Sequence, residues 1–134
     1  MVQKNLKKAF SLLELIFVIA VLGIIAAVAV PKLMDSRSSA IVTTIKQDVT
    51  TITTAIQSHY MLNNKIDNIS DAVNINEKTW DVSSQKIEYK IDETLCINIK
   101  IESNKLKVDI SENNDGLCKK IYDAGVRDIS YDLL

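Results

Sequence analysis

Residues 10–31 read FSLLELIFVIAVLGIIAAVAVP. From Phe10 to Val30 the stretch is almost wholly apolar, yet it carries one acid, Glu14. As a helix, these 21 residues rise roughly 30 Å, about the hydrocarbon thickness of a bilayer. A helix is the natural spanning form because it satisfies its own backbone polar groups. Lys4, Lys7 and Lys8 precede the apolar block, and no comparable cluster follows it. That asymmetry places the N-terminus inside and the chain after Pro31 outside the cytoplasm.

Two plainer readings compete. One is an ordinary signal anchor. The other is a cleaved secretory signal peptide, for which Ala27-Val28-Ala29 offers a small-x-small site. A secretory apolar core usually runs about 7–15 residues, and this one is longer. Glu14 fits neither reading. An acid at the centre of a membrane helix costs about 2.5–3.5 kcal/mol, and ionisable groups inside a membrane are by default functional.

At these residues the chain resembles the precursors of type IV pilins and type II secretion pseudopilins. That family has a short basic leader, a small residue (usually glycine) and a cut. Phenylalanine, a hydroxyl residue, two apolar residues, glutamate and a long apolar helix follow. Here the leader is 1–9, ending at Ala9, and the mature chain would begin at Phe10. Ser11, Leu12 and Leu13 fill the next positions, and Glu14 is the fifth mature residue. Gly23 and Pro31 also fall where many pilins have a glycine and a proline. The resemblance covers about the first third of the chain. Ala9 departs from the usual glycine, which leaves slower processing open.

The resemblance implies a role for Glu14. Cleavage would leave Phe10 with a charged α-amine, the site of N-methylation in the family. In a staggered filament, Glu14 of one subunit can meet the amine of another within the apolar core. Burial costs offset much of such a pair's attraction, so its main value is register. The alternative is that Glu14 snorkels to the interface or pairs only with its own amine.

Pro31 removes a helix hydrogen bond, and Gly23 weakens the helix by about 1 kcal/mol relative to alanine. Together they mark 23–31 as the place to kink or melt. Beyond Pro31, Ile41, Ile45, Val49, Ile52, Ile56 and Tyr60 recur at steps of four or three, a helical period. The many threonines between them lower helix propensity, so tertiary packing must hold the stripe. One long helix is expected from Phe10 to about Leu62, stopped by Asn63-Asn64.

Residues 65–86 are weakly patterned, with Ile66, Ile69, Ala72, Val73 and Ile75 in a short helix or packed loop and Trp80 as an anchor. The period then changes to two in three runs: Ile87-Tyr89-Ile91, Leu95-Ile97-Ile99-Ile101 and Leu106-Val108-Ile110. Short breaks at Asp92-Glu93 and Ser103-Asn104 make this a meander of about three antiparallel strands, covered by the helix stripe. Lys119 to Asp123 reads as a helical turn before an irregular C-terminus. The fold class is α+β, pilin-like, organised as leader 1–9, membrane and polymerisation helix 10–30, stalk helix 31–62 and head 63–134.

Cys96 alternates out of phase with Leu95, Ile97 and Ile99, which leaves it free to pair with Cys118 in the following loop. In an exported domain a disulfide is the default for two cysteines, and many pilins tie their C-terminal segment in this way. Such a bond constrains the unfolded chain by about 3 kcal/mol. Two free thiols are the alternative.

After Pro31, 13 basic residues face 16 acidic ones, so the head lacks the basic face that nucleic-acid binding needs. No nucleophile motif, phosphate loop or metal cluster stands out, and His59 is alone. Asn113-Asn114-Asp115-Gly116 has calcium-loop residue types without the spaced acids of a full site. No enzyme, no cofactor and no metal are expected. The resemblance implies a structural filament subunit held in the inner membrane with its head periplasmic. Its partners would be like subunits, sibling pilins, a prepilin peptidase and methyltransferase, an assembly platform and an ATPase. A type IV pilus, a secretion pseudopilus and a DNA-uptake pseudopilus remain open, as does a monomeric anchored or secreted binding domain.

Overall fold

A computed structural model describes residues 9–111 and 116–133. In chain order the elements are α1 (Leu12–Asn63), α2 (Ile69–Ala72), β1 (Asp81–Val82), β2 (Lys86–Ile91), β3 (Thr94–Glu102), β4 (Lys105–Ile110), α3 (Leu117–Asp123) and β5 (Ile129–Asp132). The chain divides into two compact units, Met1–Arg37 and Ser38–Leu134.

In the first unit the described elements are a non-helical lead of three residues and the first half of α1. The chain stays helical through both Gly23 and Pro31. Every large apolar side chain here is exposed, from Phe10 to Met34. Among the described residues nothing covers them, which leaves a surface suited to lipid or to another chain.

The second unit is built round the stripe expected from the helical period. Val42, Ile45, Ile52 and Ile56 of α1 are buried, with Ile41, Val49 and Tyr60 partly so. Thr53 is also buried; its hydroxyl donates to the carbonyls of Val49 and Thr50, which removes the cost of an unpaired polar group. Against this stripe lie Ile87, Tyr89, Ile97, Ile99, Leu106, Val108 and Ile110 of the sheet. Asn64 ends the helix in the left-handed region at φ 55°, as asparagine tolerates.

The sheet is antiparallel, with strand order β1-β2-β3-β4-β5. Its centre is the expected meander. Both hairpins are two-residue turns with positive φ throughout: Asp92 48° and Glu93 64°, then Ser103 53° and Asn104 59°. Positive φ at both central positions gives the turn twist that matches antiparallel strands.

Three expectations need correction. The sheet has five strands, because two short edge strands flank the meander. β1 is only two residues long. β5 falls where an irregular C-terminus was expected, pairing Ile129 with Val108 and Tyr131 with Leu106. Second, strict alternation fails at the start of β3. The pairing of β2 with β3 slips between Tyr89 and Lys90, so that Tyr89 faces Ile97 while Lys90 faces Leu95. Cys96 is the extra residue of this bulge. It is buried beside Ile97, whereas Leu95 is exposed. Third, Cys118 lies in α3 and not in a loop.

Candidate assembly site

The residues singled out at the N-terminus occupy six consecutive positions. Ala9, Phe10 and Ser11 are exposed and non-helical, and α1 begins at Leu12. Ser11 is the N-cap. Its carbonyl accepts the Leu15 N–H at 3.1 Å, and its hydroxyl oxygen accepts the Glu14 N–H at 3.2 Å. This is the first half of a capping box, Ser-x-x-Glu, in which the cap side chain satisfies a backbone donor of the first turn. Glu14 itself stands in that turn, where a negative charge is favoured by the helix dipole.

The motif Ser11-Leu12-Leu13-Glu14 is legible as a cap in the sequence. A helix start at Phe10 overlooks it. The spacing of a hydroxyl three residues before a glutamate, just ahead of an apolar run, is the signal that places the start two residues later.

Around Glu14 the surface is apolar: Leu12, Leu13, Leu15, Ile16 and Phe17 are all more than half exposed. Among the described residues no side chain pairs with the Glu14 carboxylate. A carboxylate on an otherwise hydrophobic, uncovered helix is chemically a recognition group for a cation. Gly23 sits on the same exposed helix, and a Cβ there would meet nothing within 4 Å. Its lack of a side chain therefore serves no contact among the described residues.

The family model for the prokaryotic N-terminal methylation motif matches residues 4–30. The N-terminus thus carries this motif and is similar there to type IV pilins. Two curated relatives, both fimbrial proteins of Pseudomonas aeruginosa, are 27% identical over 119 residues. The alignment covers 89% of this chain and 69% of each relative. No solved structure matches significantly. The motif match thus covers the whole apolar block and the capped turn.

The remaining site residues lie in the second unit. Cys96 and Cys118 are joined by a disulfide with Cα atoms 5.8 Å apart. The bond ties the bulge of β3 to α3, and both cysteines are buried in the core. Away from the core, the sheet carries a net of ion pairs. Lys86 and Lys90 flank Glu88, Lys100 and Lys107 flank Glu102, and Lys105 meets Asp132. The lysines are neutralised by their neighbours, so the sheet offers no basic patch. Residues 1–8, with the lysines expected in a leader, and the calcium-like run Asn113-Asn114-Asp115 lie outside the described residues.

Proposed function

We propose that the chain is a structural subunit of a type IV pilus-like filament. The observation that carries this reading is the uncovered apolar helix bearing one carboxylate inside a pilin methylation motif. An ordinary anchor has the helix but no use for Glu14. A secretory signal would discard the helix altogether.

In this reading the precursor sits in the inner membrane through residues 10–30, with its head on the periplasmic side. A prepilin peptidase removes 1–9 by cutting between Ala9 and Phe10, and the new α-amine of Phe10 is methylated. An assembly platform and ATPase then draw the subunit into a homopolymer or one shared with sibling pilins. Glu14 sets the stagger by meeting the amine of a neighbouring subunit, because a misplaced subunit would leave a charge buried and unpaired. Gly23 and Pro31 give the helix a segment that can adapt to packing. The stalk 31–62 carries the head 63–134 onto the filament surface. A pilus is favoured over a secretion or DNA-uptake pseudopilus by the fimbrial relatives and by the disulfide tie.

N-terminal sequencing of the mature protein from membranes tests the reading. A start at Phe10 supports it. A start after Ala29 would mean a secretory signal, and retention of Met1 a plain anchor. Ala9→Gly should process at least as fast as the natural chain.

A further inference from the structure

Hydrolysis between Ala9 and Phe10 consumes one water, leaving a carboxylate on Ala9 and a protonated amine on Phe10. For a peptidase to reach that bond, its carbonyl and its flanking backbone must lie free of a helix. In a helix each N–H bonds the carbonyl four residues back. Were α1 to start earlier, the Leu13 N–H would engage the Ala9 carbonyl, which is the scissile carbonyl. The Glu14 N–H would engage that of Phe10. The Ser11 hydroxyl takes the Glu14 N–H instead, at 3.2 Å, and the helix stops at Leu12. Ala9 and Phe10 stay exposed and non-helical just outside it.

The local sequence makes such a stop necessary. Ala9, Phe10, Leu12 and Leu13 contain nothing that breaks a helix. At the edge of a bilayer, unpaired backbone groups drive a helix to extend. Serine competes with the backbone for its hydrogen bonds and so favours caps over helix interiors. We propose that Ser11 is a positioning residue for leader removal: its hydroxyl cap holds the Ala9–Phe10 bond outside α1. This rests on the cleavage reading above.

The test follows precursor conversion over time in membranes making the full chain together with a prepilin peptidase. Ser11→Ala should slow cleavage about fivefold, the factor that corresponds to a cap worth about 1 kcal/mol. Ser11→Asn and Ser11→Asp should restore the rate. They cap about equally well but lack serine's hydroxyl and differ from it in size, and aspartate differs also in charge, so a simple peptidase contact with the hydroxyl would not be rescued by both. In detergent, the backbone chemical shifts of Phe10 in the uncut precursor should move to helical values in Ser11→Ala and stay non-helical in the two rescuing variants. Cleavage of Ser11→Ala at the natural rate overturns this proposal alone, and so does slow cleavage of Ser11→Asn and Ser11→Asp. A natural chain left intact between Ala9 and Phe10 overturns it together with the cleavage reading.

Discussion

The indole N–H of Trp80 donates to a carboxylate oxygen of Asp48 at 2.9 Å, joining the entry to β1 to the middle of the stalk half of α1. Trp80 is otherwise fully buried, with its ring centroid 5.3 Å from that of Tyr89. The bond fixes the weakly patterned segment before the sheet against the helix that covers it. It also explains why an acid is tolerated beside the buried stripe.

Asp48→Ala should therefore destabilise the head by about 1–3 kcal/mol, because a buried donor loses its partner. Trp80→Phe should cost a comparable amount, since packing is largely kept and the N–H goes with the indole. Denaturant unfolding of the full chain in detergent measures both, the first by Trp80 fluorescence and the second by circular dichroism. Unchanged midpoints in both variants would show that the bond does not hold the segment.

The disulfide should be present in exported protein and should matter to stability. Non-reducing peptide mapping is expected to find the fragment with Cys96 linked to that with Cys118. Replacing both by serine should cost about 2–5 kcal/mol, the usual loss for a small domain deprived of its bridge. Alkylation of both thiols without reductant would contradict the assignment.

Acid should loosen the outer sheet through two glutamates. A hydrogen bond from Lys86, with the charges of Lys86 and Lys90, holds Glu88 below its ordinary value of 4.5. A hydrogen bond from Lys107, with the charges of Lys107 and Lys100, does the same for Glu102. A depressed carboxyl contributes stability that is present above 4.5 and is lost as pH falls through its lower folded value. Glu88→Gln should flatten the acid limb of a stability–pH curve, and added salt should shrink the difference, since its lysine partners are exposed to solvent. An acid limb unchanged in Glu88→Gln would place the acid sensitivity elsewhere.

Much of this architecture is legible in the order of residues. The stripe from Ile41 to Tyr60 announces a helix because burial on one side demands a helical period. The two hairpins appear where Asp92-Glu93 and Ser103-Asn104 break the alternation. The bulge at Cys96 is not legible in the same way. Leu95 reads as an inward residue until one knows that Tyr89 faces Ile97. That slip depends on pairing between strands and not on either strand's own pattern. Nor does β5 announce itself. Its four residues acquire a strand's identity from the β4 edge and from Asp128, whose carboxylate accepts the Ile110 N–H at 2.7 Å. At the N-terminus the cap was readable from Ser11 and Glu14. The role proposed for Glu14 is not readable from the helix alone, because the partner proposed for it belongs to another molecule.

The central claim is that Glu14 acts between subunits, and Glu14→Val tests it most directly. Membrane insertion, leader removal and filament assembly are scored separately in cells making the variant. Insertion should be intact or improved, since a costly group leaves the lipid. Leader removal should largely survive, because Ala9, Phe10 and the Ser11 hydroxyl are unchanged. Filament growth should fail, because the Phe10 amine loses its partner and wrong staggers lose their penalty. Glu14→Asp, with a shorter reach, should be intermediate. Normal filaments from Glu14→Val would contradict the account.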